Sequence, residues 1–307
     1  MGGRPPRGRP CPVFVCAVQS FSGRVRGMTW TTTDLLPDYE AAAGAFLRGD
    51  VVRHTVLLTV VEGLRRDADR FGDDPPRFGW WTAPDGTVRG AYLCTPPFPP
   101  LLSTMPETAA AELARVHAGE ELSTPGVNGP VQAARAFAAE WTRLTGIAPA
   151  GDGLRSRLYR LDGLVPPERP APGAARFVHE GDRALLKAWL PAFVAETGTI
   201  LGNPDRLIDR MTADGLAVLW EDDGRPVSLA ARYPQVDGMA RIGPVYTPPE
   251  SRGRGYAAQA TASASRAALD AGVKELLLFT DLANPTSNAL YQRLGYRPLE
   301  DMLNVSL

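Results

Sequence analysis

Between residues 239 and 280 the chain reads strand, glycine loop, helix, strand, and few folds accommodate that succession. MARIGPVYT (239–247) is strand material and PPESRGRG follows it. A helix over 255–271, rich in Ala and Ser, is stopped by Gly272 at the C′ position. ELLLFT (275–280) then sets four apolar residues in succession, the pattern of a strand covered on both faces. Upstream lie LAVLWE (216–221), the turn EDDGR and PVSLAARY (226–233), so that with 239–247 and the Asp237-Gly238 turn they form a three-strand meander. Before the meander come a short strand at 176–179, helical sequence at 182–198 interrupted at Pro191, and a helix near 204–213 opened by Asn203 and Pro204. After it, a short helix at 286–294 ends at Gly295, and YRPLEDMLNVSL closes the chain as strand material. This order specifies α/β (α+β): a mixed sheet flanked by helices.

A chain of 307 residues has room for two domains. GLVPPERPAPGAA (163–175) reads as an extended linker, dividing a unit at 28–162 from one at 176–307, each long enough for its own core. The first unit is helical over 37–71, has two strands around Pro-Asp-Gly in 78–93, helices at 106–118 and 130–145, and a strand at 155–162. Residues 1–27 hold five arginines and no acid. They read as a disordered or spuriously translated leader and stand outside the fold argument.

Net charge is −1 and the pI about 6.3, against the basic domain that a broad nucleic-acid surface needs. Only Lys187 and Lys274 are lysines; the excess of arginine goes with abundant Ala, Gly and Pro, as in a GC-rich genome. No apolar run approaches a membrane span. Cys11, Cys16 and Cys94 cannot all pair, and they form no metal cluster with His54, His117 and His179. The expected setting is a reducing cytoplasm, with neither a membrane nor a nucleic-acid partner and no metal.

The loop PPESRGRGYAAQ (248–259) carries the chemistry. Gly253 and Gly255 permit backbone conformations closed to other residues and a close approach to a ligand. The helix start behind them offers free N–H groups and the positive end of its dipole, and Arg252 and Arg254 add charge. A phosphate or pyrophosphate is the expected guest. No Gly-Lys-Ser/Thr follows, so this is not a Walker A loop. The third glycine of a dinucleotide fingerprint is also missing. An RNA-contacting RGRG segment is the weaker reading, since no aromatic cluster accompanies it.

R-x-x-G-x-A, carried by Arg252, Gly255 and Ala257, resembles the acetyl-CoA loop of the GNAT N-acetyltransferase superfamily. FTDLANPTSNALYQRLGYRP (279–298) resembles that family's second signature through Asn284, Asn288, Tyr291, Gly295 and Tyr296. The resemblance is strongest over 240–307. It implies a pyrophosphate on the loop formed by Arg252, Gly253, Arg254, Gly255, Tyr256 and Ala257. It also implies a pantetheine arm paired to a strand that parts from its neighbour over 243–246, with Val245 and Tyr246 at that edge. Asn284 and Asn288 would serve the cofactor.

By the same resemblance Tyr291 is the general acid that protonates the departing thiolate. A general base is left open among Glu196, Glu221, Asp237 and a water chain. STPGVNGPVQAARAF (123–137) also runs from a glycine loop to a helix, so the first unit is expected to be a degenerate, catalytically silent copy that shapes the acceptor pocket, with Trp80, Trp81 and Phe98 as candidates for its wall. The expectation is thus two tandem GNAT-like copies. The activity expected is acetyl transfer from acetyl-CoA to an amine of a small molecule, peptide or protein. The alternative is a non-catalytic acyl-CoA-binding or regulatory module.

Overall fold

The computed structural model describes residues 29–67, 74–120, 122, 124–199 and 203–307; the leader expected at 1–27 lies outside them. The first half runs β1 (Thr29–Thr33), α1 (Leu36–Gly49), α2 (Thr55–Arg66), β2 (Arg77–Thr82), β3 (Val88–Cys94), β4 (Leu101–Leu102), α3 (Glu107–Gly119), β5 (Gly126–Pro130), α4 (Val131–Thr145) and β6 (Leu154–Leu161). The helical stretch expected at 37–71 is thus two helices. Asp50 breaks it: its carboxylate takes the backbone N–H of Arg53 at 2.9 Å, a local turn that competes with helix continuation.

The second half runs β7 (Ala174–Phe177), α5 (Arg183–Thr197), α6 (Pro204–Ala213), β8 (Ala217–Asp222), β9 (Arg225–Arg232), β10 (Met239–Tyr246), α7 (Tyr256–Asp270), β11 (Glu275–Asp281), α8 (Pro285–Arg293) and β12 (Tyr296–Ser306). Helix α5 continues through Pro191, contrary to the interruption expected there. Pro191 and Lys187 both lie on its exposed face, where water can hydrate the carbonyl that loses its partner. The α and β elements follow the same order in both halves, so the fold is one unit built twice.

That repetition corrects the expected counterpart of the glycine loop. By element order the partner of α7 is α3, which Ser103–Pro106 precede without a glycine or an arginine. Residues 126–130, expected in a loop, form β5 instead. Gly126 is there for close strand approach: a Cβ on it would lie 2.1 Å from the Val305 carbonyl oxygen.

All twelve strands form one sheet in the order β1-β2-β3-β4-β5-β12-β6-β11-β10-β9-β8-β7. The halves exchange their last strands. β6 lies antiparallel between β11 and β12, while β12 reaches back to pair with β5. Residues 163–173 are irregular and β7 begins at Ala174, inside the stretch 163–175 read as a linker, and residues of both halves pack in common cores. Leu158, Met239 and Leu277 pack with Tyr39, Leu57 and Phe78, and Leu303 and Val305 pack with Val127 and Phe137. Helix α7 covers the other face of the second half. Its buried face includes Ala260, Ala264, Ser265 and Ala268, small enough for close packing on the sheet.

Candidate active site

Two glycines shape the loop before α7. Gly253 (φ +75°) and Gly255 (φ +84°) both adopt the left-handed conformation, and Gly255 is the N-cap. Among the described residues, no group accepts a hydrogen bond from the amides of Gly253, Arg254, Gly255, Tyr256 or Ala257. Five consecutive donors at the positive end of a helix of 15 residues favour an anion.

Next to the loop the sheet opens. β10 pairs with β11 from Met239 to Ile242 and no further, and a bulge between Ile242 and Val245 turns β10 away while it stays paired with β9. β11 runs on to Asp281 against β6 alone. The cleft so formed leads into a cavity of about 1290 Å³, larger than the usual site for one small ligand. Both halves line it, the first through Val56, Thr59, Leu93, Phe98 and Leu101 among others.

The sequence-derived site residues separate into two groups. Val245, Tyr246, Arg252, Gly253, Gly255, Tyr256, Ala257, Asn284 and Tyr291 all line the cavity. Asn288 and Arg254 are not among the lining residues. Arg254 is exposed beside the Tyr256 hydroxyl. Asn288 is consumed internally: its Nδ2 donates to the carbonyls of Asp281 (2.8 Å) and Asn284 (2.7 Å), and its Oδ1 accepts from the Tyr159 hydroxyl (2.8 Å). It ties β11, the start of α8 and the exchanged strand β6 together. Asn288→Ala should therefore lower stability by about 1–3 kcal/mol and leave coenzyme A affinity within about threefold below the melting range. Calorimetric titration and thermal unfolding of one sample check this; lost affinity with unchanged stability would make Asn288 a ligand residue.

Other predicted positions make contacts within the protein. Tyr256 has a buried side chain whose hydroxyl hydrogen-bonds Asp222. Asn284 caps α8 by accepting the Ser287 N–H at 3.0 Å. Tyr246 is buried with its ring edge-on to Trp189 at 5.7 Å. Arg252 is already engaged: Nε donates to the Thr247 carbonyl (2.9 Å) and Nη2 to both Glu196 oxygens (2.8 and 2.6 Å). That pair is exposed, hence worth at most about 1 kcal/mol and easily exchanged for a phosphate.

Tyr291 is 9% exposed and packs edge-on against Tyr296 at 6.2 Å. Its hydroxyl makes no hydrogen bond to another described residue, and burial pushes its pKa up to about 12. Of the carboxylates left open as a base, only Glu196 lines the cavity, and it is held by Arg252. Glu221 is paired with Arg176 at 2.7 Å, and Asp237 is exposed in its turn. Phe98 lines the cavity; Trp81 is buried and donates to Glu112 at 2.9 Å, and Trp80 packs into the α1–α2 core.

Arg241 is the residue that sequence reasoning missed. It lies in β10, buried, and lines the cavity. A lone arginine inside an otherwise apolar strand was its only signal in the sequence.

Comparison with known proteins agrees with this architecture. Residues 183–296 match the model of the Acetyltransferase (GNAT) family. A GCN5-related N-acetyltransferase from Sphaerobacter thermophilus superposes with a TM-score of 0.59 at 18% identity, over 90% of this chain and 94% of its own. A GNAT-family acetyltransferase from Colwellia psychrerythraea gives 0.56 at 12%, over 91% and 99%. A tandem GNAT protein from the clavulanic acid biosynthesis pathway gives 0.53 at 13%, over 91% and 98%. No curated protein matches the sequence. The fold is that of the tandem GNAT proteins. Residues 183–296 carry the match to the GNAT family, and the rest of the chain shares the fold. Among the described residues no helix is long and apolar enough to cross a membrane.

Proposed function

We propose that the chain is an acetyl-CoA-dependent N-acetyltransferase acting on an amine. One observation carries the reading: the β10–β11 cleft leads to five consecutive amides with no acceptor among the described residues, beside a cavity with room for a second substrate. The residues fit the cofactor. The amides 253–257 and the α7 dipole would hold the pyrophosphate, with Arg252 released from Glu196 to join them. The free β10 edge over 243–246 would pair with the amides of the pantetheine arm, as an added strand does. Asn284 Nδ2, which makes no hydrogen bond to a described residue, would reach the same arm.

Acetyl-CoA supplies the acetyl group as a thioester. A neutral amine forms the new C–N bond at that carbonyl while the C–S bond breaks and sulfur keeps the electron pair. Tyr291 donates its phenolic proton toward that sulfur, and water in the open cavity takes the proton that the amine loses. A raised pKa keeps Tyr291 protonated at neutral pH. Ser103–Pro106 before α3 hold neither glycine nor arginine, which supports a silent copy that walls the acceptor pocket.

The test is thiol release from acetyl-CoA across a panel of small amines, peptide N-termini and protein lysines. Amine-dependent release with matching N-acetyl product is the expected result. Tight acetyl-CoA binding without turnover on any class would favour a binding module instead.

A further inference from the structure

Arg241 stands opposite Leu277 of β11, one residue before the pairing of β10 with β11 ends. Its residue exposure is 8%. Nη1 donates to the hydroxyls of Thr55 (3.2 Å) and Thr59 (3.0 Å), and the guanidinium lies 4.7 Å over the Tyr233 ring. Among the described residues no carboxylate pairs with it, and Nε and Nη2 have no acceptor. A cation removed from water without a counter-ion is costly, and hydroxyls and a ring face offset only part of that cost. Arg232 also lines the cavity, but it pairs opposite Ile242 and so extends from the other face of the sheet.

The free edge is specific. The same Nε/Nη2 edge grips a carboxylate elsewhere in this chain: Arg160 holds Glu275 at 2.7 and 2.8 Å, and Arg157 holds Asp301 at 2.5 and 3.0 Å. One guanidinium edge matches two coplanar oxygens and one negative charge. The nearby lining is apolar, from Val56, Val60, Leu93, Leu101 and Phe279. Tyr291 and the free edge of β10 border the same cavity.

We propose that the acceptor is an amine carrying a carboxylate on an apolar skeleton, as an amino acid does, and that Arg241 anchors this carboxylate. The proposal rests on the acetyl-transfer reading, yet its test is a binding test that needs no turnover. The probes are N-acetyl-leucine, N-acetyl-methionine and N-acetyl-phenylalanine, each as free acid and as carboxamide, with N-acetyl-3-aminopropyl phosphate as the phosphate arm. Each is titrated calorimetrically into the protein with coenzyme A present. At least one acid should bind about 30-fold or more tighter than its amide, the scale of a charge-assisted bidentate pair. Arg241→Met should abolish that preference with coenzyme A affinity unchanged, and Arg241→Lys should keep part of it. Should Arg241→Met fail to fold, the wild-type acid–amide difference and Arg241→Lys decide. Amides or the phosphate binding as well as the acids, no probe binding at all, or a preference that survives in Arg241→Met would overturn the proposal. Absent thiol release with an intact acid preference would instead overturn acetyl transfer and leave the Arg241 site standing.

Discussion

A Gly255→Glu variant is expected to lose coenzyme A affinity by about 10²–10³-fold while remaining folded. Two effects act together. Residue 255 has φ +84°, and a side chain in that left-handed region costs about 1–2 kcal/mol. A carboxylate tethered there also stands roughly 6 Å from the anion site. Repulsion from a pyrophosphate at that range, at an effective dielectric of about 30, is about 2–4 kcal/mol. A Cβ at 255 would meet only Ala171, at 3.7 Å, so nothing forces the fold apart. Gly255→Ala separates the two effects: it carries the backbone strain without the charge and should keep affinity within about tenfold. Titration calorimetry on both variants reads the result. Unchanged affinity in Gly255→Glu would remove the loop from the site.

Tyr291→Phe is expected to lower kcat by about 10²-fold, toward the lower end of the range for general acid–base catalysis. The ring and its packing on Tyr296 are kept, so stability and coenzyme A affinity should hold. Burial sets the size of the effect. It pushes the phenol up to about 12, well above an ordinary thiol near 8.5, so complete proton transfer in the resting site is uphill. A thiolate formed beside it suffers the same desolvation, which narrows the gap. Water in the cavity can take over part of the task. The measurement is kcat at saturating acceptor for variant and wild type; full kcat would make the tyrosine a packing residue.

The glycine loop before α7 was legible in the sequence because its determinants are local. Left-handed glycines, a helix start and flanking strands all fall within residues 239–281, and the structure has them where their order predicts. The strand exchange was not. Strand β6 carries Arg155, Arg157 and Arg160, whose partners Asp301 and Glu275 lie more than 100 residues away. Alternation within a strand sets which face is buried but not which neighbour it takes. Asn288 shows a second limit. Residue type and spacing put a polar amide on the right helix, yet three internal groups take up its hydrogen bonds, which only packing determines. The glycines of 126–130 mislead for the same reason, since close strand approach and loop freedom both call for glycine.

The central claim is that the β10–β11 cleft and the amides of residues 253–257 bind coenzyme A. Thermal unfolding with and without coenzyme A or acetyl-CoA tests it most directly. Either ligand at a hundredfold excess over its Kd should stabilise the protein by about 2.7 kcal/mol, and Gly255→Glu should show almost none of that gain at the same concentration. Identical unfolding curves for the wild type with and without millimolar ligand would contradict the account.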